Sequence, residues 1–264
     1  MGSNNRYLGA LMIAPFILFV FFGGLPLKLF TIVLSILGMY EFYKALKEKE
    51  FNPIEPVGYI LLGLYYLFDN NFETLIFLVI LATFILLMVP VVNLKYTFID
   101  VAITLLGFLY VGIFFSFIYL VNIKDGGQFY VWLIFIGSWM TDTAAYYSGK
   151  FLGKTKLCPE VSPKKTVEGS LGGLLGSMFC CAILGFVAKQ YIATISIYHY
   201  LIIGALCGCF SQFGDLVASS VKRYVGIKDY SNLIPGHGGI LDRFDSILFS
   251  GTVVYYYLTF VIGI

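Results

Sequence analysis

Charge is scarce in this chain. Only 12% of its 264 residues are Asp, Glu, Lys or Arg, and 59% are hydrophobic; an average soluble domain carries about 25% charged residues. Such a composition cannot clothe a water-facing surface, so a soluble globular fold is excluded and a lipid bilayer is the expected solvent. The net charge of +2 is small and its basic residues are scattered over many loops, which argues against a nucleic-acid partner. Cysteine is also sparse: Cys158, Cys180, Cys181, Cys207 and Cys209 form no Cys-x-x-Cys pair, which leaves neither a disulfide framework nor a zinc site to read. Of the two histidines, His199 and His237, neither has a cysteine or histidine partner at ligand spacing. There is no Gly-x-Ser-x-Gly elbow. Gly149-Lys150-Phe151-Leu152-Gly153-Lys154-Thr155 is one residue short of a phosphate-binding P-loop and follows an apolar run instead of a strand.

What the chain does have is long apolar runs. They fall at about 7–22, 28–46, 54–68, 73–90, 97–121, 128–148, 170–188, 198–219 and 244–263, which predicts an all-α, polytopic membrane protein of about nine transmembrane helices. Arg6 precedes the first run, but no small-residue cleavage site follows it, so a membrane span is expected there and not a cleaved signal. With the N-terminus cytoplasmic, fourteen Lys and Arg fall on the cytoplasmic side and only Lys28, Lys124 and Lys189 on the other, as the positive-inside rule requires. Residues 1–121 then hold about five spans. Residues 122–264 hold about four, together with two longer cytoplasmic loops, 149–169 and 220–243. Gly169, Gly172, Gly173 and Gly176 line one face at the start of the seventh run, a pattern for close helix packing in lipid.

Charge becomes informative where it does occur. Asp142 and Asp215 are the acids placed clearly inside runs, each roughly 7 to 10 Å from the cytoplasmic end. A carboxylate at such a depth faces a cavity or a partner. Asp242 and Asp245 stand at the start of the last run, where a helix N-terminus favours anions. Four acids near one boundary suit a hard divalent cation, Mg2+ or Mn2+, better than zinc. The basic residues nearby are Lys164, Lys165, Lys222, Arg223, Lys228 and Arg243, and with a metal they would neutralise a polyphosphate. Taken singly, each is an ordinary lipid or topology anchor. Pro235, Gly236, Gly238 and Gly239 around His237 allow a tight turn whose amides can approach an anion. His237 there reads as a phosphate donor or a loop-positioning group.

The order Ser219, Lys222-Arg223, Lys228-Asp229, Pro235-Gly236-His237-Gly238-Gly239, Asp242-Arg243, Asp245 resembles the motif of the phosphatidate cytidylyltransferases, or CDP-diacylglycerol synthases. Ser162-Pro163-Lys164-Lys165-Thr166 with Glu168-Gly169, the stretch from Asp142 to Tyr146, and Gly214-Asp215-Leu216 are similar to that family too. The resemblance covers most of the C-terminal half by motif and the N-terminal half only by apolar runs. One departure is Ala218, where many members carry an acid.

The resemblance implies cytidylyl transfer from CTP to phosphatidic acid, giving CDP-diacylglycerol and pyrophosphate. It implies a multi-pass enzyme of the inner (plasma) membrane with its site on the cytoplasmic side, acting as a homodimer with Mg2+ or Mn2+ and with room for a second, monovalent cation. The metal set is then Asp215, Asp242 and Asp245, with Asp142 either completing it or shaping the cavity. Lys222, Arg223, His237 and Arg243 would act on phosphates, and Ser162, Lys164, Lys165, Thr166, Glu168, Ser219, Lys228, Asp229, Gly238 and Gly239 would hold substrate. Two rival readings are a secondary transporter, which predicts an inverted repeat and a site at mid-membrane, and a lipid kinase, which would attack a different phosphorus.

Overall fold

The computed structural model describes residues 16–68, 72–192, 195–234, 236 and 238–264. Helical residues 16–22 precede α1 (Gly24–Lys47), α2 (Glu55–Leu67), α3 (Phe72–Val92), α4 (Phe98–Asn122) and α5 (Gly127–Leu152). Two short strands follow, β1 (Lys156–Cys158) and β2 (Ser162–Thr166), and then α6 (Val167–Ala188), α7 (Ile197–Val225) and α8 (Leu241–Ile262).

The eight apolar runs that lie wholly within the described residues each coincide with a helix; much of the first run lies outside them. Among the described residues, six helices are long and apolar enough to cross a membrane: α1, α3, α4, α6, α7 and α8. The other two fall short for different reasons. α2 has 13 residues, about 20 Å at the helical rise, against a hydrocarbon core of about 30 Å. The second half of α5 is rich in Ser, Thr and Asp. The expected all-helical chain also contains an antiparallel hairpin, with Lys156 opposite Thr166 and Cys158 opposite Ser162. That segment reads as a loop in the sequence because its charged and proline residues have no alternating apolar face.

The expectation that Asp142 and Asp215 are the only acids clearly inside the runs does not hold. Glu41 in α1 and Asp100 in α4 are each only 2% exposed. Asp100 completes a capping box with Thr97 and also accepts from the Asn52 amide at 2.6 Å, so its charge is spent on fixing the start of α4.

Helix α3 turns Phe77, Ile80, Phe84 and Ile85 outward, as a lipid-facing helix should. Helix α4 is the most buried of the six and runs through the centre of the molecule. Its stretch Gly107–Ile113 is a π-helical turn, a widening that frees backbone acceptors and often marks a functional region. One freed carbonyl, Gly112 O, accepts from Ser35 Oγ of α1 at 3.1 Å, and Thr104 O accepts from Tyr43 Oη at 2.7 Å. Helix α5 packs on α6, α6 on α7 and α7 on α8, while α8 returns to α4 and α5.

Glycine makes this second group tight. A Cβ on Gly173 would press on Thr141 O of α5 at 2.9 Å, and one on Gly208 of α7 would meet the Leu174 backbone of α6 at 2.8 Å. Close backbone approach through small residues is how helices associate where the hydrophobic effect no longer helps. All five cysteines are free, with Cys181 and Cys207 buried in this packing.

Gly208→Val is therefore expected to lower the thermal unfolding midpoint in detergent by an amount equivalent to about 1–3 kcal/mol of overpacking. Gly63→Ala, where nothing stands within 4 Å of an added Cβ, should leave the midpoint almost unchanged. Equal behaviour of the two variants would contradict the packing role.

Candidate active site

Helices α5, α6 and α7 and the hairpin enclose a cavity of about 340 Å³, lined by Asp142, Lys150, Lys164, Lys165, Thr166 and Gln212 among others. Asp142 opens onto it from α5. Lys165, reaching in from β2, pairs with Asp215 Oδ2 of α7 at 2.5 Å and donates to Gln212 O at 3.4 Å. Thr166 caps α6 by accepting from the Gly169 amide at 3.1 Å. Glu168 accepts from the Lys154 and Thr155 amides at 3.1 and 3.2 Å, which ties the hairpin to the helix it precedes. Thr166 and Glu168, expected to meet substrate, thus hold the lysine-bearing strand in place.

Asp245 of α8 is 7% exposed and accepts from the Ser246 amide at 2.7 Å. Asp142, Asp215 and Asp245 lie within reach of one another's charge, and Lys165, Lys222 and Arg243 act on the same group. The sequence reading places these three acids and Asp242 near one boundary. Among the described residues, however, no three Asp, Glu, His or Cys side chains close on one point tightly enough to hold a metal ion by themselves. The donor chemistry still fits a hard divalent cation, which commonly takes one or two carboxylates and completes its shell with phosphate oxygens and water.

Asp242, expected among the metal ligands, has both oxygens engaged within the chain. Oδ1 pairs with Lys222 Nζ at 2.7 Å, and Oδ2 accepts from the Tyr230 amide at 2.8 Å and the Gly239 amide at 2.9 Å. Lys222 is correspondingly engaged and also lies over the Tyr230 ring. The anion approached by the glycine turn is therefore the protein's own carboxylate. Gly238, at φ +84°, leaves room for it, since a Cβ there would stand 2.8 Å from Asp242 Oδ2. Burial pushes the Tyr230 hydroxyl well above its ordinary range, so it stays protonated. It donates to the carbonyl of Ala218 at 3.4 Å, and Ala218 itself is fully buried.

The other expected residues are less concentrated. Ser162 and Lys164 lie on β2, with Lys164 at the cavity wall. Ser219 is half-buried on α7, whereas Arg223, Lys228, Asp229 and Arg243 are exposed. Pro235 and His237 lie outside the described residues. His199 hydrogen-bonds Tyr257 at 2.9 Å, joining α7 to α8.

Three participants escape the sequence reading. Gln212 fixes α7 to α6 through Ser170 O at 3.2 Å. Tyr110 comes from the π-helical turn and lies within charge range of Asp245 and Asp215. Glu41 accepts from Ser231 Oγ at 2.6 Å and from the Ile240 and Leu241 amides, each at 2.9 Å. The only sequence signal for Glu41 is a carboxylate inside an apolar run.

A polytopic helical membrane protein with acids sunk near a lysine-bearing hairpin is the class these features define. The model of the cytidylyltransferase family matches residues 4–261. The chain is 36% identical over 264 residues to the phosphatidate cytidylyltransferase of Bacillus subtilis (strain 168), covering 95% of both proteins. It is 37% identical over 237 residues to that of Staphylococcus saprophyticus, covering 86% of this chain and 87% of the relative. The chain belongs to the cytidylyltransferase family.

Asp242→Asn would leave Lys222 charged, 13% exposed and without its partner. Removing one member of a buried pair costs about 3–5 kcal/mol, so this variant should unfold at a clearly lower temperature than the parent. Asp229→Asn, at an exposed position, should not. Matching melting curves for the two variants would show that Asp242 has no such structural role.

Proposed function

We propose that the protein transfers the cytidylyl group of CTP to phosphatidic acid, giving CDP-diacylglycerol and pyrophosphate in phospholipid biosynthesis. Family membership supports this reading. The observation that carries it is the cavity where Asp142 meets Lys164 and Lys165. A water-soluble triphosphate needs cations at the membrane surface, and a lipid phosphate needs a polar recess reachable from the bilayer.

A phosphate oxygen of phosphatidate attacks the α-phosphorus of CTP. The bond from that phosphorus to the oxygen bridging the α- and β-phosphates breaks, and pyrophosphate leaves. A phosphate monoester is already ionised near neutral pH, so no dedicated base is required; positioning and charge neutralisation carry the rate. Lys164, Lys165 and Arg243 contact the phosphates. Lys165 exchanges its partner Asp215 for a phosphate oxygen, which frees the carboxylate. Tyr230 stays neutral and supports the loop. Asp215 and Asp245, with Asp142 beside them, would hold the divalent cation, Mg2+ or Mn2+, which when bound would supply charge neutralisation to the triphosphate. Asp242 and Lys222 keep the start of α8 and the end of α7 in register. The N-terminus is cytoplasmic, the chain crosses the inner membrane about nine times, and the cavity opens to the cytoplasm.

Purified protein given labelled CTP, phosphatidic acid and Mg2+ should form a labelled CDP-lipid with equimolar pyrophosphate. A folded preparation that makes neither product would sink this reading. Asp215→Asn and Asp245→Asn should each lower kcat about a hundredfold or more, the scale seen when a group serving the transition-state charge is removed. Near-parental rates in both would remove the carboxylate assignment.

Orientation is tested separately in a background where the five native cysteines are replaced. A cysteine at Lys189 should react with an impermeant maleimide in intact cells, and one at Lys156 only after lysis. The reverse pattern would invert the topology.

A further inference from the structure

The start of α8 has no capping side chain of its own: Ile240 occupies that position and makes no side-chain hydrogen bond there. A helix N-terminus presents amides that the helix itself cannot satisfy. Here three successive amides are taken by two carboxylates, Gly239 by Asp242 and both Ile240 and Leu241 by Glu41. Glu41 comes from α1, 199 residues from Ile240 in sequence. Its Oε1 also accepts from Ser231 Oγ at 2.6 Å, so the same carboxylate fixes the loop that leads to the helix. Among the described residues Glu41 has no ion pair. Its negative charge is answered by the amides and the positive end of the helix dipole.

The fit around Glu41 depends on small residues. A Cβ on Gly239 would lie 2.5 Å from both Glu41 oxygens, and Gly38, close to one turn before Glu41 on α1, sits against the Leu241 side chain. Consecutive turns of α1 therefore set both the height and the rotation of α8 at its first residue. That helix carries Arg243 and Asp245, whose charges bear on Asp142.

We propose that Glu41 is a positioning residue for cytidylyl transfer: gripping the Ser231 loop and the first amides of α8 from across the fold, it aligns Arg243 and Asp245 with the acids of α5 and α7. This role rests on the reading that α8 contributes to the reacting site. It assigns to α1 a direct hold on the site's geometry.

The test compares the full-length parent with Glu41→Ala, Glu41→Gln and Asp245→Asn in lipid nanodiscs, with folded fraction measured for each. A misplacement of about 1 Å at a reacting group can cost about a hundredfold. Glu41→Ala should accordingly lose about tenfold to a hundredfold in kcat per folded molecule, with the KM for CTP within about twofold of the parent. That split marks loss of alignment in the transition state instead of loss of binding or of protein. Glu41→Gln keeps one acceptor oxygen and should fall between parent and Ala. Hydrogen exchange at residues 239–241 should quicken in Glu41→Ala while that of α3 stays the same.

A Glu41→Ala enzyme with parental kcat per folded molecule overturns the proposal, and so does an equal loss in Gln and Ala variants with exchange at 239–241 unaltered. If Asp245→Asn turns over like the parent, the reading of α8 as part of the site fails, and the role of Glu41 falls with it. If Asp245→Asn is inactive and Glu41→Ala is not, only the role of Glu41 falls.

Discussion

A carboxylate in an apolar environment has to be met by donors, by a cation or by water, and that single requirement arranges most of this molecule. Burying an unanswered charge costs several kcal/mol even on the mildest membrane scales. Asp100 meets the requirement locally through a capping box, and Asp242 through Lys222 and two amides. Glu41 meets it through the far end of the chain. Asp142, Asp215 and Asp245 remain, close to one another, with Lys165 as their nearest direct counter-charge. The acids thus divide into those whose oxygens are spent on structure and a mutually charged trio, of which Asp142 lines the cavity.

The division explains why apolar helices surround so few polar contacts. Tight seams between α5, α6 and α7 rely on glycine and leave little room for side-chain polarity. Many charged residues lie instead on the hairpin and on the loop before α8. A lipid phosphate and a soluble nucleotide meet only at the edge of a bilayer.

Much of this was legible in the sequence. Apolar runs marked the helices, the Gly169, Gly172, Gly173 and Gly176 series marked a packing face, and Asp142 and Asp215 stood out because an acid inside an apolar run is costly. Other features were hidden for physical reasons. The hairpin has no apolar alternation, and the π-helical turn shifts the backbone register without a residue code. The partners of Asp242 depend on a turn whose geometry needs the folded loop. Glu41 was passed over because nothing near it in sequence announces a partner, the contact spanning about two hundred positions. The 13-residue length of α2 was hidden as well, because hydropathy alone says little about where a helix stops.

The long reach of the Glu41 contact also has a meaning in time. Its partners at the start of α8 are about two hundred residues further along the chain, so at synthesis rates of about 5–20 residues per second the carboxylate waits roughly ten to forty seconds for them. Six residues separate it from Lys47 at the end of α1, about 9 Å along the axis. The contact that completes the start of α8 thus forms long after α1 is made, and a nascent chain released before residue 240 would lack it.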